Sequence, residues 1–411
     1  MSNNNHMIVA KETIEKCLPV MAAIWFFVVI DSYLVWTSLA PVMHFIPAIL
    51  VVWGTVQISN KLSLSCNRRV VFICILIYYF WIVISFCNEV GQFVKRSTDY
   101  VPMLCIVLWP NDLLLRIYKI IRKVVVFFAI GSSILSVLIF LGLNDLLPHI
   151  VLPAREALHV RIGAVYHLYG LFIADCFVSS GVSSRACGML QEPGHFAILL
   201  GFIYLIDRFR AKTINYWIVI CGLFTFSSAF VLIVFFTEIH RLFSLKNLKK
   251  IVVAIPFILL LSIVLFKCLP TDIQEQIEFF AYGRNLENVI DAFKETSSLT
   301  GALDERASDY SIANYEKMSS LQFFFGGGHM DISYSLSDYR GMILHIGLLG
   351  MFLSIFLLWA ILMNVPIKLK ISVGLAYFLI IIHRSWMLYD PYIYFLSLMA
   401  VVTHLNRQYS K

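Results

Sequence analysis

Apolar residues recur along the chain in runs long enough to cross a bilayer, over roughly 18–39, 41–58, 70–88, 98–110, 124–143, 193–207, 214–226, 227–240, 251–268, 341–363, 371–385 and 390–405. A membrane-crossing helix needs about 20 such residues, and the shorter runs here suit tilted, bent or paired helices. The pattern predicts an all-α, polytopic membrane bundle of about twelve transmembrane helices. No fixed-period repeat or low-complexity tract interrupts it, so residues 1–411 read as a single membrane-embedded domain. Two polar segments are much longer than the other connections, 144–192 and 269–340, and both fall on the same side of the bundle. The first apolar run contains Asp31, lacks a small-residue cleavage site and leads straight into further apolar runs. It is therefore expected to be a retained helix rather than a signal peptide.

Composition agrees: 60% of the residues are hydrophobic and 14% charged. The net charge of +7 raises the question of nucleic acid, which the position of the charges answers. Threading the runs through a membrane collects KLSLSCNRR (61–69), RIYKIIRK (116–123), RFRAK (208–212), RLFSLKNLKK (241–250) and KLK (368–370) on one side. By the positive-inside bias that side is cytoplasmic, with both termini there. The segment 269–340 on the other side holds five Lys/Arg against twelve Asp/Glu. The basic excess is an orientation signal, and no nucleic-acid partner is expected. The stretch NDLLLRIYKIIRKVV (111–125) reads either as an amphipathic helix on anionic lipid or as the basic start of the next span. The nine cysteines lie mostly in apolar runs and form no metal-binding spacing, although Cys176 and Cys187 share an external segment in which they could pair.

The segment 269–340 mixes helix-like pieces, TDIQEQIEFFAYG and NLENVIDAFKET, with the turn-rich FFFGGGHMDISYSLSDY. A structureless loop of that length is improbable, so it is expected to fold against the ends of the helices. Ionisable residues gather in RACGMLQEPGHFAILLG (185–201), just before and inside an apolar run. Pro193 suits a first helical turn, and Glu192 at the mouth of that helix suits its dipole. Arg185 and His195 are not explained by capping, and charge at this depth calls for a partner or a function. Asp31, Glu238, His345 and His383 raise the same question, Glu238 reading best as a cytoplasmic boundary residue and His345 equally as a core hydrogen-bonding group. HRSWMLYDPY (383–392) reads either as a cavity rim or as an interfacial aromatic belt.

Arg185, Gly188, Glu192 and Pro193 in this stretch resemble the R-x-x-G-x-x-x-E-P pattern of Wzy-type bacterial polysaccharide polymerases, which make O-antigen and capsule and belong with the O-antigen ligases. FTFSSAFVLIV (224–234) is similar to the T-x-S segment of that family. The run from Arg306 through FFFGGGHM to SDYRGMILHIGLLG resembles its external loop. The likeness covers roughly residues 185–365. It implies a GT-C-like bundle with a lipid-accessible cavity, placed in the bacterial inner membrane, and a glycosyltransferase whose substrate is an oligosaccharide on undecaprenyl diphosphate. It further implies a chain-length regulator as a partner, besides the membrane lipid.

In that chemistry the leaving group is a diphosphate, so fixed cations and a base for the acceptor hydroxyl are needed. Arginine binds two phosphate oxygens at once and stays charged. Arg185 and Arg306 are the candidates, with Arg284 and Arg340 in reserve as substrate-binding groups. Ligases of the family place a His beside an Asn where this chain has Ser337-Asp338, so that histidine does not transfer. Asp338 or His329 remains as the base, with His195 and Glu192 as further candidates or substrate contacts. The first external loop, about LAPV (39–42), carries no carboxylate and the loops hold no D-x-D triplet, which favours a metal-free reaction without cofactor. The competing readings are an O-antigen ligase and, in a different class, a lipid-linked sugar flippase or transporter. Transporters usually show internal repeats and broken helices, neither of which is legible in the sequence.

Overall fold

In lipid every backbone polar group must be paired within the protein, so long apolar runs become helices. In a computed structural model each candidate span within the described residues coincides with one. The structure describes residues 2–36, 40–87, 89–152, 164–177, 181–182, 185–211, 214–242, 309–327 and 338–409, with Lys267 and Gln274. The helices are α1 (Ser2–Val29), α2 (Ala40–Gln57), α3 (Cys66–Phe86), α4 (Val90–Val107), α5 (Asn111–Phe140), α6 (Pro193–Ala211), α7 (Tyr216–Leu223), α8 (Ser228–Leu242), α9 (Asp309–Glu316), α10 (Ser320–Phe325), α11 (Tyr339–Leu362), α12 (Ile367–His383) and α13 (Tyr392–Tyr409). Four of them, α2, α3, α5 and α11, are long and apolar enough to cross a membrane. The expected span 251–268, Lys267 apart, lies outside the described residues.

The outer faces show why the protein is embedded in a membrane. Ile73, Ile77, Phe80 and Ile84 form an exposed stripe along α3, and Phe352, Phe356 and Trp359 form another on α11. Contiguous apolar surface of this kind is untenable in water and at home in hydrocarbon. Inside, α6 is buried from Pro193 to Arg208 and packs against α8 and α13.

The segment 111–125 is settled by helix length. It is the first half of α5, an unbroken helix of 30 residues, about 45 Å against a hydrocarbon core of about 30 Å. Leu113, Leu114, Ile117, Tyr118, Ile121 and Val125 turn inward at helical spacing, while Arg116, Lys119 and Lys123 stay exposed. The helix is the basic start of a span rather than a separate surface helix.

Two expectations need correction. The all-α reading misses a four-stranded antiparallel meander, β1 (Ile150–Leu152), β2 (Ala164–Tyr169), β3 (Phe172–Phe177) and β4 (Gly181–Val182), in the order β1-β2-β3-β4. Its sequence carries the reason: AVYHLY and FIADCF are β-branched and aromatic runs joined by a two-residue turn at Gly170-Leu171. His149 stacks on His167 across it, with ring centroids 4.5 Å apart.

The second correction concerns α11, which is broken at Gly347 (φ 70°, ψ 174°). There the chain crosses Gly326, just beyond α10, so closely that a Cβ on Gly347 would lie 2.4 Å from the Gly326 nitrogen. The carbonyls freed by the break are paired within the protein. Leu344 accepts from the Gly327 N–H at 2.7 Å and Ile346 accepts from the Trp81 indole at 2.8 Å. His345 beside them is fully buried between Phe86 and Tyr389, and neither ring nitrogen has a hydrogen-bond partner. The expected core hydrogen bond of His345 is therefore not made.

Candidate functional site

At the end of the bundle that carries the sheet, the turn between α12 and α13 is stitched to four helices. The Tyr78 hydroxyl on α3 donates to the Leu388 carbonyl at 3.0 Å, and the Tyr100 hydroxyl on α4 donates to the Tyr389 carbonyl at 2.9 Å. Toward α11, Ser385 Oγ donates to the Asp338 carbonyl at 2.6 Å and the Tyr389 hydroxyl to the Gly341 carbonyl at 3.0 Å. Arg96 on α4 forms an ion pair with Asp390. Within HRSWMLYDPY, Tyr389 and Tyr392 are buried and Trp386 and Asp390 line a cavity.

At the mouth of α6 the same turn supplies a cation. Arg384 pairs with Glu192 and passes over Gly194, where a Cβ would meet its Nη2 at 2.6 Å. Glu192 thereby ties the mouth of α6 to the α12–α13 turn. His195, 6% exposed, bonds through Nε2 to the Tyr392 hydroxyl at 2.9 Å and meets Trp386 edge to face. These contacts hold His195 in the wall beside the α12–α13 turn.

Asp338 is the N-cap of α11. Its Oδ1 accepts the Arg340 N–H at 2.8 Å, and its Oδ2 holds the Arg340 guanidinium at 2.7 Å. Both residues are buried, at 2% and 5% exposure. Removing one partner of such a pair leaves an uncompensated buried charge at a cost of about 3–5 kcal/mol, while removing both is often neutral. Arg340→Met is expected to lower the melting temperature in detergent sharply, and the Asp338→Asn, Arg340→Met double variant to recover most of it.

Arg185 lies before α6 and reaches sideways. Its Nε donates to the Thr225 carbonyl at 3.1 Å and its Nη2 to the Phe226 carbonyl at 3.4 Å, while the Ala186 N–H donates to the Phe224 carbonyl at 2.9 Å. The turn it grips joins α7 to α8, with Phe226 held at φ 45°. α7 has only eight residues, about 12 Å, and with α8 it folds as a hairpin against α6. At the opposite end of α6, Arg208 pairs with Glu238, which fits Glu238 as a boundary residue. Cys187, beside Arg185, is a free thiol and not half of a disulfide.

Next to Glu192 and Trp386 lies a cavity of about 90 Å³. Asp31, His44, Lys95, Asp99, His195 and Asp390 contribute its ionisable lining, with Gln191 and Trp386. Asp31, at the end of α1 with φ 57°, accepts from the Gln191 amide at 3.3 Å. Asp99 is 2% exposed, and its Oδ1 has no hydrogen-bond partner; His44 Nδ1, equally unpartnered, stands 3.7 Å away. Among the described residues no three His, Cys, Asp or Glu side chains are grouped as metal ligands.

The structure thus brings Glu192 and His195 to one rim and Asp338 and Arg340 to the adjoining helix start, with Arg185 on the α7–α8 turn. Arg284, Arg306 and His329 lie outside the described residues. Sequence reasoning passed over Arg384, His44 and Asp99. The signal available was KRSTD (95–99), a polar cluster at the start of an apolar run, and the arginine in HRSW. Comparison with family models, with curated proteins and with solved structures gave no match.

Proposed function

We propose that this chain joins undecaprenyl-diphosphate-linked oligosaccharide repeats into a surface polysaccharide, O-antigen, capsule or exopolysaccharide, at the external face of the bacterial inner membrane. In this reading it is a GT-C-like enzyme of about twelve spans with both termini cytoplasmic, and the cavity-bearing end is external. The supporting observation is the contact of Arg185 with the Thr225–Phe226 turn. Two segments that resemble the polymerase family, 40 residues apart in sequence, meet at a guanidinium.

In the reaction an acceptor hydroxyl oxygen attacks the anomeric carbon of the donor sugar. The bond from that carbon to the diphosphate oxygen breaks, and the diphosphate leaves with the electron pair. Arg185, with Arg306, holds the developing negative charge; a base takes the hydroxyl proton. No metal or cofactor is required, because the leaving group is already a good one.

The break in α11 favours a second reading, a flippase for the same lipid-linked sugar, since interrupted helices line transporter sites. The carbonyls freed there at Leu344 and Ile346 are taken by Gly327 and Trp81, which leaves the enzyme reading ahead. A gel of surface polysaccharide from a deletion strain separates the readings. The expected result is a single attached repeat in place of long chains, with long chains restored by the wild-type gene. No attached repeat at all would indicate a ligase or a flippase, and unchanged chain length would overturn all three.

A further inference from the structure

A buried carboxylate oxygen without a partner costs about 1–3 kcal/mol or more, so Asp99 needs an explanation. It lies in mid-helix on α4 and caps nothing. Of the cations around it, Arg96 is paired with Asp390, and Lys95 lines the same cavity. What faces its free oxygen is His44, from α2, at 3.7 Å across the same cavity. That separation is too long for a hydrogen bond, and it is of the kind that closes when a ligand seats.

The rest of the lining indicates the ligand. Carboxylates of Asp31 and Asp99 and the amide of Gln191 match the donors and acceptors of sugar hydroxyls, and the Trp386 indole offers an apolar face. The volume, about 90 Å³, is below the roughly 300 Å³ at which whole-ligand pockets begin. It therefore takes one hydroxyl-bearing edge of a sugar ring rather than a whole ring.

Resting on the polymerase reading above, we propose that this cavity receives the acceptor sugar and that His44 is the base that deprotonates its hydroxyl, oriented by Asp99. Nδ1 of His44 donates to Asp99 Oδ1, which leaves Nε2 to take the proton. The freed hydroxyl oxygen forms the new bond to the anomeric carbon as the diphosphate departs. The proton then passes from Nε2 to solvent. Asp99 is a positioning residue: it fixes the tautomer and steadies the imidazolium that forms.

The test uses full-length protein in detergent with lipid-linked repeats extracted from the deletion strain. General-base catalysis contributes about 10²–10⁴-fold. His44→Gln is expected to lower kcat by about 100-fold or more with KM for the lipid little changed and an unaltered melting temperature. Asp99→Asn is expected to give a smaller fall of the same kind. Added imidazole is expected to restore turnover to His44→Ala, which no purely structural role would allow. A His44→Gln enzyme within about threefold of wild type, or a loss that imidazole does not rescue, overturns the assignment and leaves the polymerase reading standing. Wild-type protein that makes no polymer from these repeats defeats that reading, and the assignment with it.

Discussion

Arg185→Ala is expected to abolish long-chain polysaccharide while the protein stays in the membrane at near wild-type amount. Loss of one fixed donor to a developing anion typically lowers turnover by about 10²–10³-fold. Chain length magnifies that loss, because each polymer is the product of many successive transfers. The structural cost is smaller. Arg185 is half-buried and bonds to backbone carbonyls of the Thr225–Phe226 turn, which Ala186 continues to hold through Phe224. Arg185→Lys keeps the charge but loses the planar fork, and should give short chains at most. Gel analysis of surface polysaccharide, with immunoblots of membranes, checks both variants. Normal chain length in Arg185→Ala would remove this residue from the site.

Gly347→Ala should prevent accumulation of folded protein. Its φ of 70° with ψ of 174° falls in a region open essentially to glycine, which costs another residue about 1–3 kcal/mol. The added methyl also meets backbone that cannot swing aside: the Gly326 nitrogen and the Phe324 carbonyl oxygen, each at 2.4 Å. Relief requires α10 to lift off α11, which strips Leu344 of its bond from Gly327. A total of about 3 kcal/mol or more is expected, seen as loss of the monodisperse peak in detergent and a large fall in melting temperature. Gly374→Ala is the control, because a Cβ there meets nothing within 4 Å. It should be neutral or slightly stabilising. A Gly347→Ala protein that melts with the wild type would mean that α11 is continuous.

Much of the helical architecture is legible as hydropathy. The start of α6 at Pro193 was readable from local residue types, whereas the partners of Glu192 and Glu238, Arg384 and Arg208, were not. The sheet was missed because two six-residue strands inside a 49-residue segment compete poorly with a bundle-wide helical pattern, although the Gly170 turn signals them. The α11 break was missed because Gly347 is unremarkable inside an apolar run. What forces it into an unusual conformation is Gly326, a backbone that arrives from another element.

The order of apolar runs determined by itself that this is a helical membrane protein, since hydrocarbon leaves a peptide group no partner outside its own helix. It also set which residues lie near an end of the bundle, because depth follows distance along a run. Which ionisable groups face one another was decided only by the packing of helices. Arg384 reaches Glu192 across 192 residues, and Asp99 meets His44 from a different helix. Hydropathy reports how deep a residue sits and is silent on which neighbour its side chain turns toward, and the chemistry of this site depends on the neighbour.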